Sequence, residues 1–188
     1  MEIHPSLVIR SMIVGCILVI GLTTFITANA TTPLKPGEQA EKQFSSGAKD
    51  CELSSHFPQK GRRWSDLIEV YAHQQRLPAD LLAALIWQES GGNSKAYSRS
   101  GAVGLMQVMP RDGIAKEFEC SNGPCFANRP TIAQLKDPEF NIAYGARMLA
   151  NLVNRHGNLR DALKAYGPMD VGYYYSDKVL GIYKKYRE

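Results

Sequence analysis

Glu89 ends the run Leu85-Ile86-Trp87-Gln88-Glu89-Ser90-Gly91, and two further groups follow it closely. One is Ser98; the other is Gly101-Ala102-Val103-Gly104-Leu105-Met106-Gln107-Val108-Met109-Pro110. A single carboxyl that stays protonated near neutral pH can donate a proton to a glycosidic oxygen and later take one back. Beside it, the amide of Gln107 offers a donor and an acceptor, and Met109 offers a soft apolar surface for the face of a sugar ring. Taken alone, Met106 and Met109 read more readily as core filler.

The elements around Glu89 decide whether it can do this. Pro78 suits a first helical position, and Leu81, Leu82, Leu85 and Ile86 recur at helical spacing. Gly91-Gly92 stops the helix just after Ser90. Leu81, Leu85 and Glu89 lie four apart, so the carboxyl continues the stripe that carries leucines into the core. Desolvation on that stripe raises a carboxyl pKa, and the negative end of the helix acts in the same direction. On spacing alone, a solvated acid of the last helical turn is the commoner arrangement. The segment downstream reverses that preference.

From Ser94 to Gly104 the chain is rich in Ser and Gly and should be loop. Leu105 to Val108 then reads as a short helical turn broken at Pro110. Gly101 and Gly104 allow backbone to approach a sugar closely.

These blocks resemble the lytic transglycosylases of the soluble, family 1 (SLT) type in the lysozyme-like superfamily. Glu89-Ser90, Ser98 and Gly-Ala-x-Gly-Leu-Met-Gln-Val-Met-Pro resemble its two central motifs in sequence and spacing. Asn141-Ile142-x-x-Gly145-x-x-x-Leu149 resembles the helix after the site, Ala165-Tyr166 the third motif, and Lys178-Val179-Leu180-x-x-Tyr183 the closing helix. The resemblance runs from about Trp64 to Tyr186. It departs at one place: the third motif usually reads Ala-Tyr-Asn, and here Gly167 stands where the asparagine would be. That removes a polar side chain beside the site and bears on the local turn and on rate or substrate preference.

The resemblance implies a lysozyme-like fold with a glycan groove and a non-hydrolytic cleavage of peptidoglycan. Glu89 would protonate the bond between N-acetylmuramic acid and N-acetylglucosamine, and the substrate's acetamido oxygen would close on the anomeric carbon. Glu89, now a base, would deprotonate the C6 hydroxyl, whose attack leaves a 1,6-anhydro end. Ser98, Gln107, Met109 and Tyr166 would orient the acetamido groups, the rings and the carboxyl. No cofactor and no metal is implied. A second carboxylate, which most glycosidases use, has only Asp112, Glu117 and Glu119 as nearby candidates, and these read better as solvated charges. Two rivals stay open: a hydrolytic lysozyme on the same fold, and a wall-docking subunit of a secretion or conjugation assembly with dispensable turnover. A short chain without a separate wall-binding domain also fits an enzyme opening local gaps for such machinery.

Residues 1–30 read as a secretory signal peptide: Arg10, an apolar run from Met12 to Phe25, then Ala28-Asn29-Ala30 as a cleavage site. The run is short for a membrane span, which needs about 20 apolar residues. A membrane association is expected only if the leader stays uncleaved, and the expected location is the periplasm. Cys16 precedes most of the apolar run, which argues against lipidation. Cleavage leaves Cys51, Cys120 and Cys125 in an oxidising compartment. Cys120 and Cys125 flank the turn Ser121-Asn122-Gly123-Pro124, and a bridge between them is favoured over a metal site. The pairing of Cys51 is left open. Histidines 4, 56, 73 and 156 are scattered. The net charge of +4 suits an anionic cell wall, and no basic–aromatic alternation argues for nucleic acid.

One mainly α-helical domain is expected over 61–188, after a polar connector over 31–60. Ser65 can cap a helix through Gln75, and Asp137-Pro138 can open one to about Val153. Asn158 can cap the helix bearing Tyr166, and Tyr173 to Tyr186 closes the chain, its tyrosines read as packing residues.

Overall fold

The computed structural model describes residues Glu52–Arg187; the stretch read as a signal peptide, most of that read as a connector, Cys16 and Cys51 lie outside the described residues. Seven α-helices follow in order: α1 Gln59–Arg62, α2 Ser65–Gln75, α3 Ala79–Ser90, α4 Ile132–Leu135, α5 Pro138–His156, α6 Leu159–Tyr166 and α7 Tyr174–Arg187. Two 3-10 turns, Gly113–Glu117 and Met169–Val171, lie between them. A two-residue antiparallel pair, β1 Glu119–Cys120 and β2 Gly123–Pro124, makes a small hairpin. The described chain is mainly helical, as its periodicity predicts.

Helix α3 is the axis of the fold. Its residues Ala79 and Leu81 through Ile86 are all buried, so beyond Asp80 in its first turn the helix is apolar on every side until its last turn. A helix with that pattern belongs in the middle of a core, not on its surface. It packs against α7, α2 and α1, while α5 packs against α2, α4 and α6. Pro78 takes the cap position with ψ 134, one residue before the first helical one. Asp137 caps α5 by accepting from Phe140 N, and Asn158 caps α6 by accepting from Asp161 N. Ser65 does not cap α2: Trp64 holds that position, and the Ser65 hydroxyl donates to Asp66.

Two expectations change. The stretch read as polar connector contributes to the core, because Leu53 and Phe57 are 9% and 2% exposed. Leu53 N donates to Glu69 and Ser54 N to Asp80, while the Phe57 ring meets Tyr186 at 4.7 Å between centroids. Residues Leu105 to Val108 form a non-helical turn. Val103 and Val108 exchange backbone hydrogen bonds at 3.0 and 3.1 Å, with Gly104 at φ 78 and Gln107 at φ 45. The bridge closes the segment into a tight loop, which an apolar run of four residues could not reveal.

Candidate active site

The last turn of α3 carries Glu89, and its end is held in place by neighbours. Gly91 takes the left-handed conformation at φ 59 that ends the helix. At Gly92 a side chain would lie 2.5 Å from Lys60 O, and Trp64 Nε1 donates to Gly92 O at 3.0 Å. The Ser90 hydroxyl shares its proton between Ile86 O at 3.1 Å and Leu105 O at 2.8 Å. It therefore ties the helix end to the loop that follows.

That loop is braced from the opposite side by Asn141 of α5, whose side chain is fully buried. Its amide donates to Val103 O at 2.9 Å and to Leu135 O at 3.0 Å, and its carbonyl accepts from Met106 N at 2.9 Å. Gly104 sits against this amide, where a Cβ would come within 2.8 Å of Asn141 Cγ and 2.9 Å of Leu135 O. Gly145, one turn along α5, makes room for Met106, which is fully buried. The two glycines and the asparagine together let the loop lie on α5.

Glu89 itself is half-buried, and the hydroxyl of Tyr175 donates to its Oε1. Burial pushes the Glu89 carboxyl up from 4.5 to about 7, against the downward pull of the Tyr175 hydrogen bond. Such a group is poised to hold a proton near neutrality and to release it. Burial and the Glu89 charge push the Tyr175 phenol far above its ordinary range, and the same two causes raise Tyr166. Both phenols therefore remain donors.

The expected site residues fall at different distances from this chemistry. Tyr166 donates to Met106 O at 2.9 Å and feels the Glu89 charge, while Tyr175 makes the contact with the carboxyl. Ser98 Oγ accepts from Ala102 N at 2.8 Å, and Gln107 Nε2 donates to Gly104 O at 3.0 Å. Both side chains thus organise the loop. Met109 is half-buried, whereas Met106 is core. Beside the loop, a cavity of about 710 Å³ is lined by Ser94–Tyr97, Val103, Ile132 and Lys136.

The neighbouring acids are engaged elsewhere. Asp112 accepts from Ile132 N at 2.8 Å, Glu117 pairs with Lys116 at 3.6 Å on the surface, and Glu119 is exposed on the hairpin. Cys120 and Cys125 are joined across that hairpin, with 5.0 Å between their Cα atoms. Among the described residues no group of three His, Cys, Asp or Glu side chains could hold a metal. No described helix is long and apolar enough to cross a membrane.

Tyr175 is the contact that sequence reasoning missed. It belongs to a run of three tyrosines at 173–175, of which Tyr173 and Tyr174 are exposed and Tyr175 alone is buried. A helical register placing Tyr175 with Val179 on the core face was the only available signal.

Known proteins are similar to part of the chain. The chain is 31% identical over 100 residues to membrane-bound lytic murein transglycosylase E of Buchnera aphidicola, covering 53% of this chain and 44% of that protein. It is 34% identical over 95 residues to endo-type membrane-bound lytic murein transglycosylase A of Klebsiella pneumoniae, covering 50% and 45%. The chain thus spans less than half the length of these relatives. Among solved structures, an inactive glutamate-to-glutamine mutant of lytic transglycosylase Slt from Pseudomonas aeruginosa superimposes with a TM-score of 0.50 at 25% identity, over 64% of this chain and 23% of that one. The Transglycosylase SLT domain family matches residues 66–172, more than half of the chain and the whole stretch from α2 through the loop after α6, and to that family the protein belongs.

Proposed function

We propose that the protein is a peptidoglycan lytic transglycosylase acting in the periplasm, with Glu89 as both acid and base. The observation that carries the reading is a half-buried carboxyl, raised to about 7 and held by a phenol, while among the described residues Asp112 and Glu117 are engaged elsewhere. The names of the relatives, both murein transglycosylases, support the substrate class.

In the first step the Glu89 proton passes to the glycosidic oxygen as the bond to the anomeric carbon breaks, and N-acetylglucosamine leaves as an alcohol. The acetamido oxygen of the muramic acid residue forms the new bond to that carbon, the part that a second carboxylate plays in retaining glycosidases. In the second step the C6 hydroxyl loses its proton to Glu89 and attacks the same carbon, expelling the acetamido oxygen. The acid is restored, a 1,6-anhydro ring is formed, and no water is consumed. Ser98, Gln107, Met109 and Tyr166 are assigned to orienting the acetamido groups and rings.

Mass spectrometry of the products released from purified sacculi tests the reading. Expected are 1,6-anhydromuropeptides, formed without added metal or nucleotide. Products ending only in reducing N-acetylmuramic acid would replace this reading with the hydrolytic one.

A further inference from the structure

We propose that Arg129 is a substrate-binding residue, whose guanidinium takes a carboxylate carried by the muramic acid residue of the glycan strand. The proposal adds a determinant of substrate choice to the Glu89 site and rests on the reading of that site as one for muramyl glycan.

Arg129 lies between the hairpin and α4, and its backbone is fixed to the end of the site's own loop. Its N–H donates to Phe126 O at 2.9 Å, closing a turn. The next residue, Pro130, is buried, and its carbonyl accepts from Arg111 N at 3.0 Å. Ile132 N donates to Asp112 Oδ1 at 2.8 Å. Arg111 and Asp112 directly follow Met109 and Pro110, so Arg129 keeps register with the loop that carries Gln107 and Met109.

From there the half-buried side chain reaches α5, where Nη1 donates to the thioether sulfur of Met148. It also comes within electrostatic reach of α6. Burial and the Glu89 charge raise the Tyr166 phenol, and the Arg129 charge opposes them. One hydroxyl thus feels both the acid and the guanidinium, and its 2.9 Å bond to Met106 O holds it in place. Glu89 itself is set by burial and by Tyr175. The cation therefore stands at the site without drawing the proton off the acid.

An arginine stem laid over a helix is often packing alone. Two observations point to a ligand here. Among the described residues the ion pairs are Lys116–Glu117 and Arg160–Asp177, and Arg129 is in neither. Its side-chain partner is a thioether, a weak acceptor that engages one of the guanidinium's donors. The planar fork of a guanidinium matches a carboxylate. A muramic acid residue carries one at the end of its lactyl ether, or carries a peptide there with carboxylates of its own. N-acetylglucosamine carries none.

The test reads binding to the full chain bearing Glu89→Gln, so that no strand is cut. The ligands are an N-acetylglucosamine oligomer, a peptide-free muramyl strand, a peptide-bearing strand, and both muramyl strands with their carboxylates amidated. Adding Arg129→Gln should weaken a muramyl strand about 10-fold, the loss of one charge-assisted contact, and leave the N-acetylglucosamine oligomer unchanged. A loss on the peptide-free strand assigns the carboxylate to the lactyl group, and a loss confined to the peptide-bearing strand assigns it to the peptide. Amidating the responsive strand should cost the same factor with Arg129 intact, an arm that needs no variant at 129 to fold. Arg129→Lys should recover part of the binding, and Arg155→Gln, which removes an exposed charge elsewhere on α5, should change little. In the active enzyme Arg129→Gln should raise KM with kcat little changed. Equal loss on the N-acetylglucosamine oligomer, the same loss from Arg155→Gln, or amidation without effect on either muramyl strand would overturn the proposal. Binding is read without turnover, so a protein that holds muramyl strands through Arg129 yet releases no anhydro product refutes the transglycosylase reading alone.

Discussion

Desolvation at a helix end separates Glu89 from the other acids near it, and it has a measurable cost. The folded protein holds the carboxyl at about 7, against an ordinary 4.5. Below 4.5 both folded and unfolded chains carry the proton, and no stability is lost. As the pH rises toward 7 the unfolded chain has already released a proton that the folded protein retains. Stability therefore falls across that window, by at most about 3 kcal/mol. Glu89→Gln should abolish the effect: relative to the wild type, the variant melts higher at pH 8 than at pH 4, read by paired thermal scans. The same variant should lose about a hundred- to ten-thousand-fold in muropeptide release while remaining folded, since the amide keeps the shape and lacks the proton. Release by the wild type should decline above about pH 7, as the acid form of Glu89 is titrated away. The place of Glu89 was legible because leucines four and eight residues earlier mark its stripe. Tyr175 was not, because it approaches from 86 residues away and its register is hidden in a row of tyrosines. Gly167 read as the loss of a polar group, and the ring of Tyr175 that a Cβ there would meet left no mark in the sequence.

At the scale of elements, one side chain governs the loop. Asn141 makes three hydrogen bonds, linking Val103, Met106 and Leu135 to α5 with no exposure to water. Asn141→Leu would leave Leu135 O and the Met106 N–H without these partners in the core, each costing on the order of 1–3 kcal/mol, while Val103 O keeps its bond from Val108 N. The expected result of a denaturant titration is a loss of about 3–5 kcal/mol, at the upper end of single substitutions. Release should fall as well, because Ser98, Gln107 and Met109 ride on the freed loop. The Asn141-to-Leu149 block was visible in the sequence, but its reach was not. An asparagine inside a helical pattern gives no sign that its amide will cross to a loop 38 residues earlier. The non-helical turn at 105–108 has the same origin: Asn141 and the Val103–Val108 bridge outweigh local preference.

For the whole molecule, the fold begins before the family match does. Leu53 and Phe57 join the core from a stretch whose composition reads as connector, because two apolar residues among polar ones carry no period. Phe57, just before α1, packs on Tyr186 of α7, so the start of the described chain is clasped to its last helix. Phe57→Ala should cost about 3–5 kcal/mol, measured by chemical unfolding, with the Glu89 titration unchanged. The helical class and the five longer helices were legible from periodicity and from the caps at Asp137 and Asn158; the one-turn helices α1 and α4 and this clasp were not. The hairpin bond between Cys120 and Cys125 has the opposite character. It spans five residues of mostly exposed chain, away from the packed helices. Chain-entropy arithmetic for so short a loop gives about 2 kcal/mol, confined to the hairpin. Opening it should therefore leave the packed helices folded. Dithiothreitol should accordingly leave muropeptide release nearly intact.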